Sequence, residues 1–381
     1  MPDVYIIAGE ASGDVLGARL MDAMQALVPG VSFAGIGGAR MEEKGLSSLF
    51  PMHELALMGF LEVLPKIRHL ARRLDQTVAD IAARRPAVVV TIDSPGFTLR
   101  AAERLKPLGI KVVHYVAPQV WAWRQGRVKK IARQVDDILC LLPFEPAFFQ
   151  AHGIRAEFVG HPVLESGADL GDAARFRSRH GIRPNERPLL VMPGSRVTEI
   201  RRLLPIFGEA LALTAQRVPG LRPIVPLAGT VEEAVREVAA HWQPAPILVR
   251  SIEEKHDAYA AAHAGLIKSG TSSLEVALAG VPMVVGYRVN PISAAIARRI
   301  IKVDYVSIVN LLAQRLIIPE LLQGDCTPER LADALVGLLE NAAIADQQRA
   351  GFSAVMDMLR PPQGGSPSEA AARAVARIAG L

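Results

Sequence analysis

The feature that most narrows the folding options of this chain is a rhythm. Short, unbroken apolar runs rich in Val and Ile recur along it, each closed by a turn and followed by a longer stretch with helically spaced apolar residues. In the first half the runs are VYIIAG (4–9), VSFAGIGG (31–38), AVVVTID (87–93), IKVVHYV (110–116), DILCLL (137–142) and AEFVG (156–160). A strand that is apolar throughout, rather than at alternate positions, is covered on both faces. Segments such as DVLGARLMDAMQAL (14–27) supply the covering helices, so the expectation is an α/β fold built on parallel sheets.

The rhythm breaks at about residues 164–188, in the polar stretch ESGADLGDAARFRSRHGIRPNERP, where a linker or domain boundary is expected. It restarts with PLLVMPGSR (188–196), RPIVPLAG (222–229), APILVR (245–250), AGLIKSG (264–270) and VPMVVGY (281–287). A chain of 381 residues exceeds what one core usually serves, so two domains are expected, 1–165 and 166–360. A last helical pattern, 366–381, follows the breaker RPPQGGSP and is a candidate to pack back on the first domain. Two open parallel sheets leave a cleft at the carboxyl ends of their strands, so function is sought in the turns that follow strands.

Composition excludes some classes. Lys and Arg outnumber Asp and Glu by 43 to 38, a mild excess that suits an anionic ligand or an acidic membrane face better than a nucleic acid. Cys140 and Cys326 have neither zinc nor disulfide spacing, which fits a reducing cytoplasm. No apolar run reaches the roughly 18 residues of a membrane span, and the N-terminus has no signal-peptide pattern.

The turns carry the candidate chemistry. AGEASGDVLG (8–17) has the glycines of a phosphate loop without dinucleotide spacing, and its acids Glu10 and Asp14 would repel a pyrophosphate. They suit sugar hydroxyls; equally, Ser12 and Asp14 read as helix caps. TIDSPGF (91–97) delivers Asp93 to a sheet edge, either as a general base or as an acceptor for the turn's own N–H groups. HYVAPQVWAWRQGRVKKIAR (114–133) sets Trp121 and Trp123 beside Arg124, Arg127, Lys129, Lys130 and Arg133, either a solvated helix face or a contact for anionic lipid. ELALMGFLEVLPKIRHLARR (54–73) is densely apolar through Met58, Phe60 and Leu61 with a basic tail, which suits core packing or peripheral membrane binding.

In the second half, MPGSRVTEIRRLLP (192–205) places Gly194, Ser195 and Arg196 between a strand and a helix, where a guanidinium can grip a diphosphate. KSGTSS (268–273) places Ser269, Gly270, Thr271 and Ser272 at a second such junction, read as an anion cradle or as a capped helix. Glu275 is a candidate acceptor for ribose hydroxyls.

Taken in order, GEASGD, HYVAPQVWAWRQGR, PGSR, SGTSSLE, MVVGYR and DYVSIVNLLA resemble, over nearly the whole chain, the lipid-A-disaccharide synthases, glycosyltransferases of GT-B architecture with two Rossmann-like domains facing a cleft. The resemblance implies transfer of a 2,3-diacylglucosamine unit from UDP-2,3-diacylglucosamine to 2,3-diacylglucosamine 1-phosphate (lipid X). The anomeric carbon inverts, giving the β(1→6) disaccharide 1-phosphate and UDP. It implies Asp93 as the base and Glu10 on the acceptor side, with Arg196 and the GTSS turn stabilising the departing diphosphate without a metal or other cofactor. Glu275, Tyr287 and Asn310 fall around the uridine end. The first domain is then the acceptor and membrane-facing one, and the second binds the UDP-sugar.

One departure stands out. Relatives commonly read Asp-x-Pro-Asp-Phe where this chain has DSPGF, so Gly96 removes the second carboxylate and leaves Asp93 alone. Acylated substrates further imply a cytoplasmic protein held peripherally on the inner leaflet, with Met58, Phe60, Leu61, Trp121, Arg124 and Arg127 as the contact, and apolar helices of the second half leave room for a homodimer. Two rivals share part of this pattern: another GT-B UDP-sugar transferase or a UDP-sugar epimerase, and a noncatalytic lipid- or nucleotide-binding module. The apolar block 55–64 has no use in a soluble-sugar epimerase, and a binding module has no need of both Asp93 and Arg196.

Overall fold

The computed structural model describes residues 3–55, 60–123, 125–227, 229–290 and 303–381, and of residues 60–67, 123 and 230 the backbone alone. Met58 and Arg124 therefore lie outside the described residues, and the side chains of Phe60 and Leu61 are not described. The chain divides into two compact units, Met1–Glu165 with Leu359–Leu381, and Ser166–Met358.

The first unit holds six strands: β1 (Val4–Ala8), β2 (Phe33–Ile36), β3 (Val88–Ile92), β4 (Val112–Tyr115), β5 (Asp137–Cys140) and β6 (Arg155–Phe158). All pairs are parallel and the order is β2-β1-β3-β4-β5-β6. The continuous apolar runs have the cause expected of them. Tyr5, Ile7 and Val89 pack into a core on one face of the sheet, while Val4, Ile6, Val88 and Val90 pack into another on the opposite face. That second core is closed by the helix Pro367–Ala379, whose Ala371, Ala372 and Val375 are buried there. A capping box between Ser366 and Glu369 starts this helix, Ser368 bonds Glu165, and Arg377 pairs with Glu157 at 2.6 Å.

The second unit repeats the plan with β7 (Arg187–Met192), β8 (Leu221–Pro226), β9 (Ile247–Val249), β10 (Ala264–Lys268), β11 (Met283–Tyr287) and β12 (Glu320–Leu322), all parallel, in the order β12-β11-β10-β7-β8-β9. The polar stretch read as a linker is folded in part. Asp172 caps a helix, Ala173–Arg179, and Phe176 of that helix anchors in a core with Ile224, Val249 and Ala258. Arg175 meets the buried carboxylate of Asp257 with two hydrogen bonds of 2.6 Å, an arrangement that polar composition alone does not announce.

In each sheet the chain reverses its direction of growth once. β1 has β2 on one side and β3 on the other; β7 has β8 on one side and β10 on the other. At such a switch point the two neighbouring turns leave the sheet in opposite directions and open a crevice at its carboxyl edge. The four turns that bound these crevices are those after β1, β3, β7 and β10, which hold Glu10, Asp93, Gly194–Ser195–Arg196 and Ser269–Gly270–Thr271.

Candidate active site

At the switch point of the first sheet the turns after β1 and β3 touch: a Cβ on Gly9 would lie 2.6 Å from Ser94 Oγ, so only glycine allows the approach. Backbone strain collects here. Asp93 and Ser94 adopt φ of +48° and +45°, and Val116, just past β4, adopts +78°, a conformation that β-branched residues rarely take. The turn is held by Asp93 N–H on Tyr115 O (3.0 Å) and by Thr98 Oγ1 donating to Asp93 O (2.7 Å). Burial raises the half-buried Asp93 carboxyl above the usual range, and the Ser94 backbone N–H only partly opposes this. Among the described residues no cation pairs with it. Asp93 is thus a poorly stabilised carboxylate on a strained turn, which is what a proton acceptor needs. The nearby His114 has no such use: it is fully buried, pushed down to about 4 by burial, and its Nδ1 lies 2.8 Å from Thr91 Oγ1.

The two acids of the first turn separate. Glu10 is exposed at the start of the helix Ala11–Leu27 and caps nothing. Asp14 is buried and accepts the backbone N–H groups of Gly38 (2.8 Å), Arg40 (3.0 Å) and Met41 (3.1 Å), so it caps the neighbouring helix Ala39–Glu42 and is spent as a sugar acceptor. Ser12 caps neither helix.

At the switch point of the second sheet the structure brings together Gly194, Ser195, Gly270, Thr271, Ser272 and Glu275, which line one cavity of about 340 Å³. Gly194 takes φ +121°, and a Cβ there would fall 2.5 Å from Glu199 Oε2, so the turn can pass over that carboxylate only as glycine. Glu275 Oε2 accepts from Lys255 Nζ (2.9 Å) and Tyr259 OH (3.1 Å). Lys255 and Tyr259 are four residues apart on the helix Ile252–Ala261, a spacing that puts them on one face and that IEEKHDAY already contained. Lys268, the charged end of β10, also lines the cavity, as does Arg250. None of Lys255, Tyr259, Lys268 or Arg250 was singled out from the sequence, because a lysine on a polar helix is usually a solvated one.

Other expected members of the site are engaged elsewhere. Arg196 stands outside the cavity wall, with Nη1 3.7 Å from Glu199 and its side chain 70% exposed. Ser269 donates its hydroxyl to Val306 O (3.1 Å), and Ser273 is fully buried and donates to Gly270 O (2.7 Å), so neither hydroxyl is offered to the cavity, whose wall holds Thr271, Ser272 and Ser195. The helix these residues open, Ser272–Leu278, has only seven residues. Asn310 is fully buried and saturated: its amide nitrogen donates to Ile318 O and Glu320, and its oxygen accepts from Ile317 and Ile318 N–H. It shapes the chain at 317–320 rather than offering its side chain to a uridine. Tyr287, at the end of β11, is not in the cavity wall but sits 5.5 Å beneath Lys268 Nζ.

The expected lipid-facing groups also divide. Trp121 is turned inward, its indole N–H on Glu145 Oε1 (3.0 Å) and its ring edge-on to Phe144; burial pushes Glu145 up to about 7. Arg127 is exposed. In the basic tail after residue 60, Arg73 chelates Glu54 with two bonds of 2.7 Å and covers the Phe50 ring at 4.6 Å, so its charge is consumed internally. Among the described residues no helix is long and apolar enough to cross a membrane.

Comparison with known proteins agrees in fold and sequence. The sequence profile of the family described as lipid-A-disaccharide synthetase matches residues 4–374. The chain is 54% identical to the lipid-A-disaccharide synthase of Granulibacter bethesdensis, covering 100% of this chain and 99% of that protein. It is 41% identical to that of Pseudomonas aeruginosa, over 98% of each. Two solved structures share the fold at low identity: a UDP-GlcNAc 2-epimerase from Neisseria meningitidis bound to UDP-GlcNAc (TM-score 0.64, 12% identity, 93% of this chain and 99% of that one) and the calicheamicin glycosyltransferase CalG4 (TM-score 0.62, 16% identity, 100% and 98%). With two parallel-sheet units of the GT-B kind and a family match that runs nearly end to end, the chain belongs to the lipid-A-disaccharide synthase family.

Proposed function

We propose that the chain is an inverting glycosyltransferase that joins UDP-2,3-diacylglucosamine to 2,3-diacylglucosamine 1-phosphate, releasing UDP and the β(1→6) disaccharide 1-phosphate. The acceptor 6-hydroxyl attacks the anomeric carbon; its proton passes to Asp93 as the bond from that carbon to the β-phosphate oxygen breaks. Burial helps here, since a carboxylate that water stabilises less is a stronger base at the moment of transfer. The observation that carries the donor reading is the cavity between the β7 and β10 turns. Its hydroxyls and backbone suit phosphate oxygens, Arg196 stands at its edge, and Glu275, already oriented by Lys255 and Tyr259, suits ribose hydroxyls. Thr271, Ser272 and Ser195 take the donor-side contacts in this reading, whereas Ser269, Tyr287 and Asn310 support the walls behind them. Glu10 is assigned to the acceptor, where its exposed carboxylate is free of cap duty.

The acyl chains of both substrates require an approach to the cytoplasmic face of the inner membrane. We assign that approach to the region around Met58, Phe60 and Leu61 with Arg127, and not to the inward-turned Trp121. The deciding experiment is mass spectrometry of the products formed from UDP-2,3-diacylglucosamine and the 1-phosphate acceptor, each alone and together. Disaccharide 1-phosphate with stoichiometric UDP, only when both are present, is the expected result. Isomerised UDP-sugar without disaccharide would instead mean an epimerase.

A further inference from the structure

Two lysines of the donor cavity's wall, Lys255 and Lys268, each sit against a glutamate and a tyrosine. At one corner Lys255 bonds Glu275 and lies 5.7 Å from the ring of Tyr259. At the other Lys268 lies 3.1 Å from Glu199 and 5.5 Å from the ring of Tyr287. The corners differ in charge. Lys255 and Glu275 neutralise each other, whereas Glu199 is shared between Lys268 and the largely exposed Arg196 (3.7 Å), a formal excess of one positive charge that solvent screens in part on the arginine. Glu199 is nearly buried, with 11% of its side chain exposed, and its Oε2 has no hydrogen-bond partner among the described residues; its single negative charge is set against two cations. Arg250, the remaining cation of the wall, is well exposed and bound to Glu232, where solvent and salt screen it.

From this we infer that Lys268 is a phosphate-binding residue of the donor site, that Glu199 and Tyr287 hold it in place, and that the ligand therefore lies with its diphosphate at the Lys268 corner and its ribose at the Glu275 corner. This inference rests on the donor-site reading above. An ammonium has three N–H donors. One is directed at Glu199 and the Tyr287 ring covers another side, so what remains faces the cavity, beside the turns of Gly194 and Gly270. Glu199 has a second effect. By cancelling one of two cations it limits how tightly the site holds a dianion, which matters for an enzyme that must release UDP at each turnover.

The test is calorimetric titration of the full chain with UDP at low and moderate salt, using wild type, Lys268→Met, Lys268→Arg and Glu199→Gln, with melting temperatures as the check on folding. Lys268→Met is expected to weaken UDP binding about tenfold or more, the worth of one charge-assisted hydrogen bond, and to flatten its salt dependence. Lys268→Arg should restore most of the affinity, and Glu199→Gln should tighten UDP several-fold at low salt, roughly the effect of one unscreened nearby charge. UDP affinity unchanged in Lys268→Met, or weakened equally in Lys268→Arg, or weakened in a Glu199→Gln variant that melts like wild type, overturns the inference. Failure of the wild type to bind UDP at all would instead remove the donor-site reading on which it rests.

Discussion

The two switch points of this chain have the same topology and opposite electrostatics. At the β1/β3 turns a carboxylate, Asp93, is half-buried and, among the described residues, without a cationic partner, on backbone with positive φ at Asp93 and Ser94. At the β7/β10 turns every carboxylate has a cation and the cations are in excess. An unpaired buried acid costs stability and is retained where its basicity is used; a surplus of cations on flexible arms is suited to holding an anion and letting it go. In the proposed reading the contrast separates a site for proton transfer from one for binding, although both are crevices at the edge of a parallel sheet.

The largest effect expected from breaking that contrast is at Asp93. Asp93→Asn should lower kcat by about a hundredfold or more while the UDP dissociation constant stays near wild type, since the general base acts only in the chemical step. The same variant tests the strain. Because burial raises the folded-state pKa of Asp93, ionisation destabilises the fold above that pKa, and the cost fades as pH falls through it towards the unfolded value. Asp93→Asn should therefore melt at or above the wild-type temperature at pH 8, with the difference shrinking towards pH 4; asparagine tolerates φ +48°. A lower melting temperature at pH 8 would show that the carboxylate is structural.

Arg196→Ala comes next, with kcat/KM for the UDP-sugar down by about tenfold to a hundredfold, as for loss of a charge-assisted contact, and the acid limb of the pH profile unchanged. A pair of glycine substitutions sharpens the comparison further. Gly9→Ala drives a methyl into Ser94 and should reduce kcat about tenfold by displacing Asp93 without weakening UDP. Gly194→Ala must adopt φ +121° against Glu199, should cost about 1–3 kcal/mol of stability, and should weaken UDP. Equal effects of both on UDP affinity would mean that the two turns do not have separate duties. The last effect concerns the proposed lipid face and leaves both turns untouched. Phe60→Ser with Leu61→Ser should lower co-sedimentation with anionic vesicles about tenfold, from lost apolar burial, with the UDP dissociation constant unmoved.

Much of this was legible without coordinates, and unevenly so. The parallel sheets followed from VVVTI and AGLIK because a strand buried on both faces has to be apolar throughout. The turns after β1, β3, β7 and β10 were picked out because glycine and serine between a strand and a helix mark either a ligand loop or a helix cap. What failed was the allotment of polar atoms. Asp14, Ser269, Ser273 and Asn310 have the side chains a sugar-nucleotide site needs, yet each is spent on backbone groups brought to it by distant or local chain packing. Lys255, Lys268 and Tyr259 look like ordinary surface and core residues and acquire their role from what they face.

Local patterns of hydrophobicity and turn chemistry therefore determined the class of fold, the boundary near residue 165 and the family, since each depends on residues close together in the chain or on ordered motifs. The strand order, and with it the pairing of the β1 turn with β3 and of β7 with β10, was settled only by tertiary structure. So was the question of which acid, among the described residues, stays without a cation and which lysines line the cavity. Ionic and hydrogen-bond partners are chosen across tens of residues of sequence and within about 3 Å of space, and the linear order of side chains carries no record of that choice.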